Sequence, residues 1–77
     1  MAIEAYVFIE CEHARAREVM EHVSRIAGVK EVNMVTGPYD LIARVAASNF
    51  KVLGEVVMTK IQSEKNIKRT LTNVIIE

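Results

Sequence analysis

The sequence predicts an α+β fold whose strands and helices follow one another in the order βαββαβ. Three observations support this prediction: the chain opens with apolar residues at every second position, two later stretches show a helical period, and turn-forming residues separate the elements. The 77 residues form a single domain, 1-77, with no room for a second one. We therefore expect one sheet and two helices.

The first half of the chain changes its hydrophobic period between a strand and a helix. Residues Ala2–Glu10 alternate between two sets, which predicts a strand. From about His13 the apolar residues recur at intervals of three and four, which predicts a helix with Gly28 as its C-cap. Val29–Thr36 is expected to form the second strand.

The second half repeats this order. Tyr39–Val45 is predicted as the third strand and Ile67–Ile76 as the fourth. Between them, Ser48 is the expected N-cap of a helix, and Gly54 within that helix predicts close packing against the sheet. The inner stripe of this helix consists of Phe50, Leu53, Val57 and Ile61.

This element order is that of the ferredoxin-like fold, a four-stranded antiparallel sheet with both helices on one face. The opposite face of such a sheet should be polar, yet the strands are apolar on both sides. In the first strand, for example, Tyr6 and Phe8 alternate with Val7 and Ile9. We therefore expect a second subunit to cover the remaining face by two-fold symmetric packing of sheet on sheet.

Composition narrows the classes of function. Ten basic residues balance ten acidic ones, which argues against a polyanionic partner. The single cysteine excludes an intrachain disulfide, and no Cys/His cluster predicts a zinc site. No signal peptide or membrane-spanning stretch appears, so a cytoplasmic protein without a membrane partner is expected.

The residue types that most often carry catalysis are poorly placed for it. His13 and His22 are nine positions apart and fall on opposite sides of the first helix, so they cannot share a metal. Cys11 lies near His13 but lacks a third polar group to orient a base. Lys68 and Arg69, with Lys65, are most simply a solvated edge. We expect no catalytic residue, no metal site and no cofactor.

Two sets of polar residues remain as a candidate binding site. The first is a corner between the second and third strands, and the second is a pair of threonines in the fourth strand. These residues are Thr36, Gly37, Pro38, Tyr39 and Asp40 at the corner, with Thr70 and Thr72. The set suits a small zwitterion, because Asp40 could receive an ammonium group while backbone amides and hydroxyls receive a carboxylate.

A simpler interpretation of the same residues is open. The corner would be an ordinary turn with Pro38 at its second position, and Asp40 would pair with Arg44 along the strand. The threonines would then reflect β-propensity alone.

The segments "VTGPYDLIARV" and "KRTLTNVII", together with the order βαββαβ, resemble the ligand-binding (RAM) domain of the Lrp/AsnC regulators over essentially the whole chain. The resemblance implies dimers formed through the sheets and rings of eight or ten subunits. It also implies a free amino-acid effector bound between dimers, contacted by the loop Gly37–Asp40 and by Thr70 and Thr72.

The sequence differs from the typical family pattern in the part that would bind DNA. Members of this family typically carry an N-terminal helix-turn-helix, whereas the first strand here begins at residue 2. We expect a stand-alone RAM domain that binds an amino acid, does not bind DNA directly, and modulates transcription through full-length Lrp-like regulators. The alternative is a small cofactor-free enzyme of the dimeric α/β-barrel kind, which needs a titratable residue in the cavity between sheet and helices.

Overall fold

The computed structural model describes residues 2–77 and has the predicted element order. Its elements are β1 (Ile3–Cys11), α1 (Ala16–Ser24), β2 (Val29–Met34), β3 (Leu41–Ala47), α2 (Phe50–Gly54) continued by a π-helical segment (Glu55–Ile61), and β4 (Ile67–Val74). All strand pairs are antiparallel and the sheet order is β2-β3-β1-β4. The ferredoxin-like fold class is confirmed. Within residues 2–77, no helix has the length and apolar character needed to cross a membrane.

One face of the sheet and the two helices enclose the core. Alternate residues of the central strands β1 and β3 are fully buried, as the period of two requires. Burial of each large aliphatic side chain contributes about 1.5–3 kcal/mol relative to exposure. The largest fully buried side chains are Ile9, Leu41, Ile61, Val7, Val19, Val23 and Val45.

The first helix is shorter than predicted at both ends. It begins at Ala16, because Ala14 adopts a positive φ of 62° that breaks the helical backbone. It ends at Ser24, so the prediction of Gly28 as its C-cap is wrong. Gly28, with φ +99°, instead lies against β3: its carbonyl accepts the N–H of Ala46 at 2.8 Å, and an added Cβ would be 3.2 Å from the Ala46 oxygen.

Three predictions about the second helix are also wrong. Phe50, expected on the inner stripe, is 67% exposed. Asn49, not Ser48, is the N-cap, because its Oδ1 accepts the backbone N–H of Val52 at 2.8 Å. Gly54 does not pack closely against the sheet, since a Cβ added there would meet nothing within 4 Å. From Glu55 the backbone follows the wider π-helical path to Ile61.

Several strand ends differ from their predicted positions. β2 stops at Met34 and β3 starts at Leu41, because the residues between them form a separate loop. β3 runs on to Ala47, which pairs with Ile3 at the start of β1. β4 stops at Val74, which pairs with Ala5, instead of Ile76, and the Ile75 N–H beyond it still donates to the Glu4 carbonyl at 2.8 Å.

The sheet face opposite the helices, called here the open face, is apolar at its centre and charged around it. Tyr6 and Leu71 remain 43% and 47% exposed, and Phe8 and Ile42 beside them are partly buried. The predicted apolar patch is therefore present, and ion pairs such as Arg44 with Glu4 lie beside it. Its coverage by a second subunit stays a prediction.

Candidate functional site

The loop Val35–Asp40, called here the corner loop, is anchored at its base. The Val35 N–H donates to the Asp40 carbonyl and the Asp40 N–H donates to the Ile9 carbonyl, both at 2.9 Å. The Asp40 carboxylate adds a third bond, because its Oδ2 accepts the backbone N–H of Cys11 at 2.7 Å. The Gly37–Pro38 peptide bond is cis. These bonds fix the loop to the end of β1.

Burial and the neighbouring Asp40 together suppress ionisation of the Cys11 thiol. Burial of the thiol, and secondly the negative charge of Asp40, raise the pKa of Cys11 from 9.0 to about 11. The thiol is therefore protonated at neutral pH and is a poor nucleophile. Residues 2–77 contain no group of three or more His, Cys, Asp and Glu side chains that could hold a metal ion.

The sequence missed one neighbour of the corner loop. The ring of Tyr39 packs on Phe8, with 5.7 Å between centroids, and the Arg69 guanidinium lies 5.3 Å from the Tyr39 centroid. Arg69 Nε also donates to Glu10 Oε1 at 2.8 Å. Arg69 is exposed on the edge strand β4, as predicted, and is at the same time a cation held beside the corner loop. Only the pairing of Glu10 with Arg69 in the sheet, a long-range feature, reveals this role.

The alternative pairing of Asp40 with Arg44 is wrong. Arg44 Nη1 lies 2.8 Å from Glu4 Oε1, and Arg44 Nε lies 3.5 Å from Glu31 Oε1. The hydrogen bond to Glu4, followed by the one to Glu31, raises the pKa of Arg44. Asp40 is left with the Cys11 N–H as its partner.

Thr70 and Thr72 share one face of β4, as the spacing of two predicts. They pair with Ile9 and Val7, whose side chains are buried on the helix side of the sheet. Thr70 Oγ1 accepts a hydrogen bond from Gln62 Nε2 at 2.7 Å. Both threonines line a cavity of about 380 Å³ between the second helix and β4, together with Phe50, Leu53, Gly54, Val57, Met58, Gln62 and Leu71.

The corner loop and the threonines do not form one pocket within a single chain. The cavity that holds both threonines has no lining residue from 36–40, and neither has a second cavity, of about 340 Å³, that Thr70 also lines. The structure thus joins Asp40 to Cys11 and Tyr39 to Arg69, and it leaves the threonines on the other side of the sheet.

Gly37 is accessible rather than conformationally required. A Cβ added at this position would meet nothing within 4 Å, and the neighbouring Thr36 and Pro38 are exposed. A ligand can therefore approach the backbone of an anchored loop.

Comparison with known proteins shows which family this chain matches. The sequence profile described as the Lrp/AsnC ligand binding domain matches residues 4–77. An uncharacterised HTH-type transcriptional regulator of Pyrococcus horikoshii, PH1916, is 41% identical over 58 residues, which cover 75% of this chain and 39% of that regulator. The chain thus matches well under half the length of this curated relative.

Solved structures agree on the fold. The crystal structure of TTHA0845 from Thermus thermophilus has a TM-score of 0.92 and 35% identity, covering 97% of this chain and 94% of that one. The transcriptional regulator NMB0573 of Neisseria meningitidis, in its L-Met complex, has a TM-score of 0.86 and 16% identity, covering 97% of this chain and 50% of that one. With the profile match over nearly its full length, the chain belongs to the family of Lrp/AsnC ligand-binding domains.

Proposed function

We propose that this chain is an amino-acid-binding module that works in assemblies of its own copies and modulates Lrp/AsnC regulators without contacting DNA itself. The observation that carries this proposal is the corner loop, which is anchored by three hydrogen bonds and yet exposes Gly37 to open space. A loop fixed before binding loses little conformational entropy when a ligand arrives.

The polar groups of the corner loop suit the ammonium end of an amino acid. Asp40 uses Oδ2 for the Cys11 N–H, which leaves Oδ1 to accept a second donor. A charge-assisted contact of this kind contributes about 1.5–3 kcal/mol. Backbone amides of the loop and the hydroxyls of Thr70 and Thr72 are the proposed partners of the ligand carboxylate.

The site is proposed to be completed between copies of the chain, as a dimer or a ring of dimers. One chain leaves the corner loop and the threonines without a common cavity, and its open face exposes Tyr6 and Leu71. Both features are expected of a subunit that packs against further copies of itself. The L-Met complex of the Neisseria meningitidis regulator supports an amino acid as the ligand only at the level of a shared fold.

A single substitution tests the corner loop. Gly37→Ala adds a methyl group that meets nothing in the chain, so the free energy of unfolding should stay within about 0.5 kcal/mol of the parent value. A ligand that approaches this backbone would collide with the methyl group, and affinity should fall by about tenfold or more.

The measurement begins with a thermal-shift screen of all amino acids, and calorimetric titration of the amino acids that shift the parent then compares the two chains. Unchanged affinity in the Gly37→Ala variant would show that the corner loop is only a turn. A parent that binds no amino acid would contradict the proposed function itself.

The enzyme alternative lacks support from the cavity that it requires. The cavity between the second helix and β4 is lined by apolar residues, two threonines and one glutamine, with no titratable side chain among them. The protonated Cys11 thiol does not supply a nucleophile. No observation favours catalysis over binding.

The proposal that the chain does not bind DNA by itself rests on its balanced charge. Fluorescence anisotropy with a labelled duplex should show no salt-sensitive, sub-micromolar binding. Such binding would mean that the chain contacts DNA directly.

A further inference from the structure

The two edges of the sheet differ in how well they are protected against pairing with another strand. The sheet order β2-β3-β1-β4 leaves β2 and β4 at the edges. β2 is the shorter of the two, has a register shift between Val29 and Glu31, and carries the charged Lys30 and Glu31. Short length, bulges and charges are features by which natural edge strands avoid further pairing. The edge at β2 is therefore protected.

β4 lacks this protection over its second half. Residues 70–74 read TLTNV, without a charged residue, proline or glycine, and they pair with β1 in unbroken register. The charged Lys68 and Arg69 precede this stretch, and the register shift next to Cys11 also lies before it. An edge of this kind is a template for another strand.

The backbone groups that such a strand would use can be identified. The Ile75 N–H donates to the Glu4 carbonyl at 2.8 Å, so it points to β1. Hydrogen-bonded and non-hydrogen-bonded pairs alternate along an antiparallel ladder. The N–H and C=O groups of Thr70, Thr72 and Val74 therefore point away from β1, toward the edge of the sheet.

An apolar groove runs beside the same edge. The cavity of about 380 Å³ between the second helix and Thr70 and Thr72 is continued by a cavity of about 570 Å³ that Val74 and Ile76 line, and the exposed ring of Phe50 lines both. Side chains on one face of a strand recur about every 7 Å. Consecutive side chains of an added strand would therefore lie on either side of Phe50.

The charges at the two ends of this edge have opposite signs. Where β4 begins, Lys68 and Arg69 contact the single carboxylate of Glu10 at 3.9 Å and 2.8 Å, which leaves a net positive charge. At the other end, the exposed Glu77 lines the larger cavity. In an antiparallel pairing the first residues of the added strand lie near Glu77 and its last residues lie near Lys68. A segment that begins with a basic residue and ends with an acidic one complements this pattern.

We infer that the edge of β4 binds an extended segment of another protein, which joins the sheet as a fifth, antiparallel strand. The main chain of this segment pairs with Thr70, Thr72 and Val74, and its alternate apolar side chains lie in the groove beside Phe50. A basic residue precedes the apolar stretch and an acidic residue follows it. Main-chain hydrogen bonds supply the affinity of such an interaction, and the groove supplies its sequence preference. This interaction does not depend on whether the chain binds an amino acid.

A synthetic peptide tests the charge pattern. The probe is the fluorescein-labelled amide Lys-Val-Thr-Val-Thr-Val-Glu, and its anisotropy is followed as the full chain is added. The peptide should bind, and the peptide with Lys and Glu exchanged should bind about fivefold or more weakly. Equal affinity for the two peptides would overturn the antiparallel, charge-directed pairing.

N-methylated peptides test the main-chain pairing. Directly opposite residues of two strands have their side chains on the same face, and the members of a hydrogen-bonded pair exchange both bonds. The valines that enter the groove beside Thr70 and Thr72 therefore donate their own N–H groups to β4. N-methylation of the valines should remove binding, whereas N-methylation of the threonines should be tolerated. Equal effects of the two modifications would mean that no strand is added.

Matched substitutions test the edge itself. Val74→Pro removes an N–H that points away from β1, which edge strands tolerate, and should weaken peptide binding about tenfold or more. Val74→Ile keeps this N–H and should stay within about twofold of the parent. Lys68→Glu should weaken binding about fivefold, whereas Lys30→Glu makes the same charge change on the other edge and should have no effect.

Circular dichroism and thermal unfolding check that each variant is folded. If Val74→Pro does not fold, the comparison of Lys68→Glu with Lys30→Glu decides, and equal affinities in that pair would overturn the inference. A parent that does not bind the peptide would also overturn it. If Val74→Pro then lowers the mass found by light scattering, the edge is occupied by a second copy of the chain.

Discussion

The two faces of the sheet are built from the same four strands and have opposite characters. On the helix side, Val7 and Ile9 of β1 are fully buried in an aliphatic core. On the open face, Tyr6 and Phe8 of the same strand lie among charged residues and stay partly accessible. A central strand normally shows this division between a buried and a solvated side, but aromatic residues are unusual on the solvated side.

The difference separates residues that fold the chain from residues that prepare it for contact. The helix side supplies the buried aliphatic surface of a single chain. The open face instead combines apolar area with fixed ion pairs, such as Arg44 with Glu4, which is a composition common at protein interfaces. Substitutions on the two faces should therefore change different measured quantities.

The largest expected effect is on the helix side. Ile9→Ala removes a fully buried side chain and leaves a cavity, so the free energy of unfolding should fall by about 2–5 kcal/mol. Ile76→Ala makes the same chemical change at a residue that is 95% exposed, and it should cost less than about 0.5 kcal/mol. Urea unfolding at one fixed protein concentration compares them. Similar losses for both variants would mean that the core is not where the structure places it.

The next effect is expected on the open face. Tyr6→Glu places a charge in the centre of the proposed subunit contact, where it would be desolvated, so the assembly should dissociate toward the monomer. Thr59→Glu introduces the same side chain at an exposed position in the π-helical segment and should not change the mass. Light scattering gives both masses. A parent that is already monomeric at micromolar concentration would remove the basis for assembly through this face.

Two substitutions of Asp40 in the corner loop separate the effect of its charge from the effect of its hydrogen bond to the Cys11 N–H. Asp40→Asn keeps an oxygen that can accept the Cys11 N–H, so the unfolding free energy should change little. Loss of the charge should weaken amino-acid binding by about 10- to 150-fold, measured by calorimetry. Asp40→Ala, the comparison variant, should lose both affinity and stability. Full affinity in Asp40→Asn would show that Asp40 serves only as a structural acceptor.

The smallest effect is the pH dependence due to Cys11. Its pKa is about 11 in the folded chain and lower in the unfolded chain, so in alkaline solution the unfolded state releases the proton first. The unfolded state then binds fewer protons, and stability falls as pH rises from about 9 to 11.

Urea unfolding across this pH range checks the prediction, with Cys11→Ala as the control for lysine and tyrosine titration. The parent should lose more stability than the control as pH rises. Equal slopes for the two chains would mean that the thiol is not buried as described. At pH 8, iodoacetamide should also modify the folded parent far more slowly than the unfolded chain.

The element order could be read from the sequence because it depends on local periodicity. The alternation in β1 and the three-and-four spacing of Ala16, Val19 and Val23 identify a strand and a helix whatever their partners are. The threonine pair was likewise predictable, since a spacing of two places Thr70 and Thr72 on one face of any strand.

The tertiary structure decided which residues meet. Strand pairing brings Asp40 to the Cys11 N–H across 29 positions of sequence and aligns Arg69 with Glu10 beside Tyr39. It also selects which of two apolar faces of β1 meets the helices. These outcomes follow from register and packing summed over the whole sheet, and a local pattern holds no information on a partner so distant in the chain.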